Sequence, residues 1–365
     1  MAVTRALRGR LVFYSSIYLV WILLIFYATG GAHGQFSSWL AGWRQWDARW
    51  YEQIWREGYP RADPRTLVFP PGYPFVVGSL SKLFSASFLA TAVVLNLAAF
   101  FMSAVLIAEW LARKLGASAA LIFVFVLSTP AAYFAFSAYS DVLFMLLLWV
   151  LLWLALAAPK PRGLRVRVAK CLLFLVLPWI RLTGYALASW IFARRIVALA
   201  VLGSLALWLG FNRTVAGSAF YFLRAQELFG MPRGNFFQGF ADSFFHLASD
   251  RSHPMSWLEF GFLPLFYLGA LIAAGAWLGK KREGLLALTI FSILLLSYNQ
   301  GFWRSVVRYD LPLTPVLCLP LLVNAASRAP IVATLCRAAF YALIVAQFLL
   351  QIYFARAFHA GAWAF

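Results

Sequence analysis

Long apolar runs separated by short polar segments cover almost the whole chain. Residues 11–28 and 331–354, for example, form runs close to the roughly 20 residues that a helix needs to cross a bilayer. Several of the short polar segments between runs carry arginine or lysine, which marks cytoplasmic loops. The pattern predicts an all-α polytopic membrane protein. We expect one integral membrane domain over residues 1–365, with about eleven transmembrane helices.

The basic residues also predict an orientation. Arg5, Arg8 and Arg10 precede the first apolar run, so we expect a cytoplasmic N-terminus. A cleaved signal peptide is the alternative, but the run is long and further spans follow, which favours a retained helix. Two long segments then lie on the extracytoplasmic side, residues 30–84 as a first outer loop and residues 211–257 as a second.

One apolar stretch does not fit a simple span. Residues 171–193 lie between a basic cluster and Arg194, so a single crossing would place one of these basic flanks on the wrong side. Pro178 interrupts the stretch, and a broken hairpin satisfies both flanks. Arg181 inside it is a candidate functional residue, with a structural ion pair as the alternative. Residues 117 to about 136 predict a return span by their length.

Four tryptophans in the first outer loop follow a helical spacing. Trp39, Trp43, Trp46 and Trp50 fall at i, i+4, i+7 and i+11, with polar side chains between them. The spacing predicts one amphipathic helix lying on the bilayer surface, where indole rings act as interfacial anchors. Asp47 follows this apolar stripe by one residue, so the stripe places a carboxylate at the membrane boundary.

Composition supports the membrane class and limits the partners. Hydrophobic residues make up 63% of the chain and charged residues 12%. The formal net charge of +19 would suggest nucleic acid in a soluble protein, but many of the basic side chains lie in short loops that meet anionic membrane lipids. We therefore expect no nucleic-acid partner. Cys171, Cys318 and Cys336 lie in or beside apolar runs, so no disulfide is expected.

The polar residues favour one kind of chemistry. The sequence has no phosphate-binding glycine loop, no zinc-ligand spacing and no nucleophile elbow. What remains is a few acids and arginines near the outer boundary. Glycosyl transfer from a lipid phosphate needs one carboxylate to take a hydroxyl proton and cations to stabilise the departing phosphate. Asp47 suits the first role and Arg181, Arg304 and Arg308 the second. This chemistry requires no metal and no other cofactor.

An ordered series of short motifs resembles one family. The series is Trp46-Asp47-Ala48-Arg49-Trp50-Tyr51, Phe69-Pro70-Pro71-Gly72-Tyr73-Pro74, Tyr139-Ser140-Asp141-Val142-Leu143-Phe144 and Arg181-Leu182-Thr183-Gly184. It is similar to the mannosyltransferase that adds the second mannose to glycosylphosphatidylinositol anchors, and to its bacterial relatives. The resemblance implies a GT-C membrane glycosyltransferase with a polyprenyl-phosphate sugar donor, usually carrying mannose. It leaves open which lipid or glycan is the acceptor.

The resemblance also assigns roles to residues. Asp47 takes the place of the catalytic base, and Asp141, where the family usually has glutamate, is a second catalytic candidate. The side chains expected to bind the donor phosphate are Arg181, Arg304, Arg308 and Tyr309. The side chains expected to contact substrates are Trp46, Tyr51, Tyr73 and Tyr139.

Simpler explanations stand beside these roles. Asp47 has Arg44 three residues before it, and an exposed ion pair there would contribute only about 0.2–1 kcal/mol. Asp141 at a helix start is favoured by the helix dipole alone. Arg308 has Asp310 nearby as a partner. At the level of function, broken helices with buried arginine also occur in transporters, so a flippase for a lipid-linked sugar is an alternative, as is a scaffold subunit.

Overall fold

The computed structural model describes residues 2–59, 63–156, 163–192, 195–228, 235–247, 257–280, 283–298, 306–317 and 330–362. All regular secondary structure within these residues is helical, as predicted. The α-helices in chain order are α1 (Ala2–Ala28), α2 (Phe36–Gly42), α3 (Asp47–Glu57), α4 (Gly72–Leu83), α5 (Phe88–Leu115), α6 (Ala119–Ser128), α7 (Ser140–Leu156), α8 (Leu164–Ile180), α9 (Arg195–Ala216), α10 (Tyr221–Glu227), α11 (Phe236–Ala241), α12 (Leu263–Lys280), α13 (Gly284–Tyr298), α14 (Val306–Tyr309) and α15 (Pro330–His359). The 3-10 helices are Gly31–His33, Pro64–Val68, Pro130–Phe136, Leu182–Phe192 and Thr314–Leu317, and the π-helices are Asp242–Leu247 and Trp257–Phe262.

Four helices of the described chain are long and apolar enough to cross a bilayer. They are Arg8–Ala28 in α1, Phe88–Lys114 in α5, Leu199–Ala216 in α9 and Pro330–His359 as α15. Apolar helices α7, α12 and α13 are shorter. The protein is therefore a multi-pass integral membrane protein. The total of about eleven crossings stays a prediction, because parts of the later predicted spans lie outside the described residues.

The span predicted over residues 117–136 is bent. α6 and the 3-10 helix Pro130–Phe136 meet at an angle of 77°. Pro130 has no N–H and restricts Thr129 before it, which ends α6. The side-chain amide of Gln351 on α15 donates to the freed carbonyls of Leu127 and Thr129, each at 3.0 Å. A distant helix thus satisfies the backbone polar groups at the bend, as a membrane interior requires.

The broken hairpin predicted over residues 171–193 is confirmed. α8 ends at Ile180, Arg181 is extended, and the 3-10 helix Leu182–Phe192 folds back along α8. The rings of Phe174 and Trp190, on opposite sides of the break, lie with centroids 5.3 Å apart. Gly184 fits against the backbone of α8 so closely that a Cβ there would lie 2.6 Å from the nitrogen of Pro178. The hairpin therefore ends in a tight turn that carries Arg181.

Salt bridges join three helix ends at one face of the bundle. Glu109, near the end of α5, lies 2.8 Å from the Nε of Arg10 and accepts a hydrogen bond from the Tyr14 hydroxyl at 3.0 Å, both on α1. Lys114, also near the end of α5, pairs with Glu283 just before α13. Glu109 and Glu283 therefore lie at the same face, beside the end of α5. The assignment of that face to the cytoplasm stays a prediction.

The tryptophan spacing does not belong to a single surface helix, and that prediction is wrong. α2 ends at Gly42 and α3 begins at Asp47, with a break between them. Trp39 and Trp43 are buried rather than placed in headgroups. The Trp43 indole stacks on Phe136 with centroids 5.3 Å apart. These two tryptophans anchor the first outer loop to the protein, which positions the start of α3.

Candidate active site

The break between α2 and α3 places Asp47 in the first turn of α3. Two hydrogen bonds hold this break against the segment that precedes α7. The Ser137 hydroxyl donates to the carbonyl of Trp43 at 2.6 Å, and the backbone N–H of Asp47 donates to the Tyr139 hydroxyl at 3.2 Å. Asp47 therefore has a defined position relative to the start of α7, although the two segments are far apart in sequence.

Asp47 forms a salt bridge with Arg308. The Oδ2 of Asp47 lies 2.8 Å from the Nη1 of Arg308, whose side chain is 5% exposed while that of Asp47 is 17% exposed. The alternative pairing of Asp47 with Arg44 does not form, because Arg44 binds Glu52 with its Nε 2.5 Å from Oε2. A partly accessible carboxylate thus lies against a buried guanidinium, the pair that the proposed chemistry needs.

Asp141 lies in the first turn of α7 and binds both arginines. The Nη1 of Arg181 pairs with its Oδ1, and the Nε of Arg308 lies 3.7 Å from the same oxygen. Asp141 is buried, with 1% of its side chain exposed. If Asp141 only interacted with the dipole of α7 at its first turn, it would not need two guanidinium partners. The structure therefore brings Asp47, Asp141, Arg181 and Arg308 together, from α3, α7, the end of α8 and α14.

Aromatic rings surround the Arg308 guanidinium. Its Cζ lies 4.9 Å from the ring centroid of Tyr139, 5.1 Å from that of Tyr309 and 5.6 Å from that of Phe134. The Cζ of Arg181 lies 4.6 Å from the Tyr309 centroid. Tyr309 thus contacts both guanidiniums. Guanidinium groups stack on aromatic faces and keep their N–H groups available in the plane, so this arrangement orients both groups.

The alternative partner of Arg308 has another role. Asp310 is buried and accepts a hydrogen bond from the Tyr298 hydroxyl at 2.9 Å.

Arg304 lies outside the described residues, so its predicted phosphate contact stays a prediction. Glu52 is buried and is bound by Arg44 and by Arg56, whose Nη2 lies 2.6 Å from Oε1. These two ion pairs hold Glu52 within the first outer loop.

Tyr51 and Tyr73 lie beneath the charged residues. The Tyr51 hydroxyl hydrogen-bonds that of Ser140 at 2.8 Å, and its ring meets the Tyr73 ring edge-on with centroids 4.9 Å apart. Burial raises the pKa of Tyr51, so its hydroxyl stays neutral. Both hydroxyls are engaged within the protein, and their contact with a substrate stays a prediction. Ser140 belongs to the motif of residues 139–144, but the sequence does not identify Tyr51 as its hydrogen-bond partner.

Trp46 has an unusual backbone conformation beside the candidate base. Its φ of 48° and ψ of −118° lie in a region where glycine is normally found, and its side chain is 38% exposed. Such strain costs on the order of 1–3 kcal/mol and is often stored at functional sites. The exposed indole next to Asp47 agrees with the predicted substrate contact.

We expect Trp46→Gly to be more stable than Trp46→Ala by about 1 kcal/mol or more, because both lose the indole but only glycine relieves the backbone. If the indole contacts a sugar, both variants should raise the KM for the sugar substrate by the same factor. Thermal unfolding in detergent and transfer kinetics measure the two effects. Equal stability of the two variants would show that the backbone at this position is not strained.

Among the described residues, no group of three or more His, Cys, Asp or Glu side chains is arranged to hold a metal ion. The described cationic side chains at the two carboxylates are Arg181 and Arg308. Each guanidinium has five N–H donors, so the pairing of Arg181 with Asp141, and of Arg308 with Asp47 and Asp141, does not exhaust their capacity for a phosphate.

Comparisons with known proteins give independent information on the fold. The sequence matches no protein-family profile and no curated protein. The structure is similar to the crystal structure of ArnT from Cupriavidus metallidurans bound to undecaprenyl phosphate, with a TM-score of 0.50 and 15% sequence identity. The match covers 97% of this chain and 76% of that one. The likeness extends over nearly the whole chain and agrees with the GT-C-like, all-helical membrane fold predicted from the sequence.

Proposed function

We propose that the protein is a membrane glycosyltransferase that moves a sugar, mannose by the family resemblance, from a polyprenyl-phosphate donor to an acceptor hydroxyl. The observation that carries the proposal is the position of Arg308 between Asp47, 2.8 Å from its Nη1, and Asp141, 3.7 Å from its Nε. Support for a lipid-phosphate donor comes from the fold likeness to ArnT, which was crystallised with undecaprenyl phosphate.

The reaction divides the site into a base and an anion-binding part. The acceptor oxygen attacks the anomeric carbon while the bond from that carbon to the phosphate oxygen breaks, so the product has the inverted configuration. Asp47 takes the proton of the acceptor hydroxyl. The phosphate departs with the bonding electrons and gains one negative charge, which Arg308 and Arg181 stabilise by charge-assisted hydrogen bonds.

Asp141 has a different role from Asp47 in this scheme. It is almost fully buried, and one of its oxygens is shared by both guanidiniums. A carboxylate in that position holds the two cations at the same point, where their spare N–H groups can bind one phosphate. Asp47 is more accessible and is the better candidate to meet an acceptor. We therefore assign proton transfer to Asp47 and orientation of the arginines to Asp141.

The proposed site lies at the opposite end of α5 from the salt-bridged face. Asn96 of α5 contacts Tyr139 beside the site, whereas Glu109 contacts Arg10. The step of thirteen positions from Asn96 to Glu109 corresponds to about 20 Å along a helix, which is two thirds of the hydrocarbon thickness. The positive-inside rule assigns the basic helix ends at the salt-bridged face to the cytoplasm. The site then faces the extracytoplasmic side. This placement suits a lipid-linked donor and a lipid or glycan acceptor.

The test uses the whole protein purified in detergent with polyprenyl-phosphate mannose and the lipid fraction of cells lacking the protein. We expect release of polyprenyl phosphate together with a mannosylated product, although no second compartment exists. Polyprenyl-phosphate glucose in parallel reactions tests the choice of sugar. A protein that releases no polyprenyl phosphate from either donor, yet moves the lipid across vesicle bilayers, would be a transporter and not a transferase.

A further inference from the structure

A buried asparagine on α5 joins the elements that carry the site. Asn96 is fully buried in a helix long and apolar enough to span the membrane. Its side-chain nitrogen lies 2.7 Å from the carbonyl oxygen of Ser137, 2.9 Å from that of Tyr139 and 3.0 Å from the hydroxyl oxygen of Tyr73. Carbonyl oxygens only accept hydrogen bonds, so the Asn96 amide must donate to them.

The two bonded carbonyls belong to a segment without regular structure. Residues 137–139 connect the 3-10 helix Pro130–Phe136 to α7, and each of the two carbonyls has one other donor. The backbone N–H of Tyr139 donates to the carbonyl of Ser137 at 2.9 Å, and Tyr139, as the residue before α7, offers its own carbonyl to the first turn of that helix. Both residues are buried. A carbonyl oxygen can accept two hydrogen bonds, so the Asn96 amide supplies the second partner of each. No water replaces a lost donor inside a membrane protein, and the two bonds from Asn96 therefore stabilise the conformation in which both carbonyls point toward α5.

The same segment holds the two carboxylates of the site. Its C-terminal end leads directly into Asp141. Its Tyr139 hydroxyl accepts a hydrogen bond from the backbone N–H of Asp47, and its Ser137 hydroxyl donates to Trp43 just before the break. A shift of residues 137–139 would therefore move Asp47 and Asp141 together. Asn96 also contacts Tyr73, so α4 is attached to α5 through the same side chain.

We propose that Asn96 is a positioning residue for the proposed transfer reaction, which fixes the distance between Asp47 and the arginine pair through the backbone of residues 137–139. The inference rests on the proposed function for its catalytic consequence. Arg181 and Arg308 are held by other elements, the turn after α8 and α14. Loss of the Asn96 donors should hence displace the base more than the phosphate-binding arginines.

The experiment compares Asn96→Leu, which removes both donors, with Asn96→Asp, which keeps one donor when protonated. Ser103→Ala is the matched control, because Ser103 is equally buried on α5 but its hydroxyl donates only to the carbonyl of Ala99 in its own helix, at 2.7 Å. We expect kcat to fall about 10-fold to 100-fold in Asn96→Leu, since a misplacement of about 1 Å can cost 10²-fold. Asn96→Asp should lie between Asn96→Leu and the unchanged control. The KM for polyprenyl-phosphate mannose should change less than kcat.

Hydrogen–deuterium exchange provides a readout that does not depend on activity. The amides of residues 137–141 and of Asp47 should exchange faster in both Asn96 variants and not in Ser103→Ala. If wild-type protein transfers no sugar, the proposed function fails, while the exchange data still decide whether Asn96 holds this segment. Wild-type exchange in a folded Asn96→Asp protein would overturn the inference. So would a loss of activity that only parallels the loss of folded protein in both variants.

Discussion

Asp47→Asn is expected to abolish measurable sugar transfer while the protein still inserts and folds. The change removes the carboxylate that would take the acceptor proton but keeps the size of the side chain. General-base catalysis contributes about 10² to 10⁴-fold to a rate, so kcat should fall by at least about 100-fold. The amide oxygen can still face Arg308, and binding of polyprenyl phosphate should therefore persist. Transfer kinetics and a thermal-shift titration with polyprenyl phosphate separate the two effects.

Asp63→Asn is the matched control for this substitution. Asp63 lies in the same outer loop and also binds an arginine, with the Nη2 of Arg65 2.7 Å from its Oδ2. That guanidinium holds the pKa of Asp63 below its usual range, so Asp63 is ionised at neutral pH. It lies outside the candidate site, and we expect nearly wild-type rates. Full activity in a folded Asp47→Asn protein would remove Asp47 from the mechanism.

The residue types at the site could be predicted from the sequence, but their partners could not. Asp47, Asp141, Arg181 and Arg308 were all candidates on the basis of motif and membrane depth. The local alternatives were wrong for two of them, because Asp47 binds Arg308 rather than Arg44, and Asp310 binds Tyr298. Sequence spacing describes neighbours on one helix. It carries no information on which of several arginines packing brings within 3 Å of a given carboxylate.

The tryptophan spacing shows a second limit. Trp39 lies in α2 and Trp50 in α3, each four positions from a tryptophan, Trp43 or Trp46, that flanks the break between the two helices. The helical period therefore continues across a break that it cannot reveal. Tertiary contacts determine the break, because Trp43 packs on Phe136 and the backbone N–H of Asp47 bonds the Tyr139 hydroxyl. Position 46 is a tryptophan and not a glycine, so the residue type there does not indicate the turn.

Proline had different consequences at two positions. Pro178 correctly predicted a broken hairpin because the charges on both flanks gave a second constraint. Pro130 lies in a run whose length predicts a span, but length alone does not indicate the 77° bend at this proline. The bend depends on Gln351, whose amide satisfies the carbonyls of Leu127 and Thr129. Asn96 was overlooked for a similar reason, since a lone polar residue in an apolar run does not identify the backbone groups that it bonds.

Arg308→Lys is expected to have the second largest effect, although it keeps the positive charge. Arg308 reaches Asp47 with Nη1 and Asp141 with Nε while its plane lies near three aromatic rings. An ammonium group is a point charge without this planar fork, so it cannot make both contacts and stack as well. We expect kcat/KM to fall by about 100-fold, corresponding to one charge-assisted hydrogen bond of roughly 3 kcal/mol. Arg308→Gln should also destabilise the fold, by about 3–5 kcal/mol, because two carboxylates lose their shared cation.

Arg65→Lys is the matched control, because Arg65 also binds an aspartate and lies over an aromatic ring, with its Cζ 4.7 Å from the Trp50 centroid. Its side chain is 41% exposed, and a surface pair of this kind contributes only about 0.2–1 kcal/mol. Near-wild-type transfer in Arg65→Lys together with a large loss in Arg308→Lys would assign the effect to the site and not to arginine chemistry in general. Equal, small effects in both variants would mean that Arg308 is a structural ion pair, and the phosphate would then need another cation.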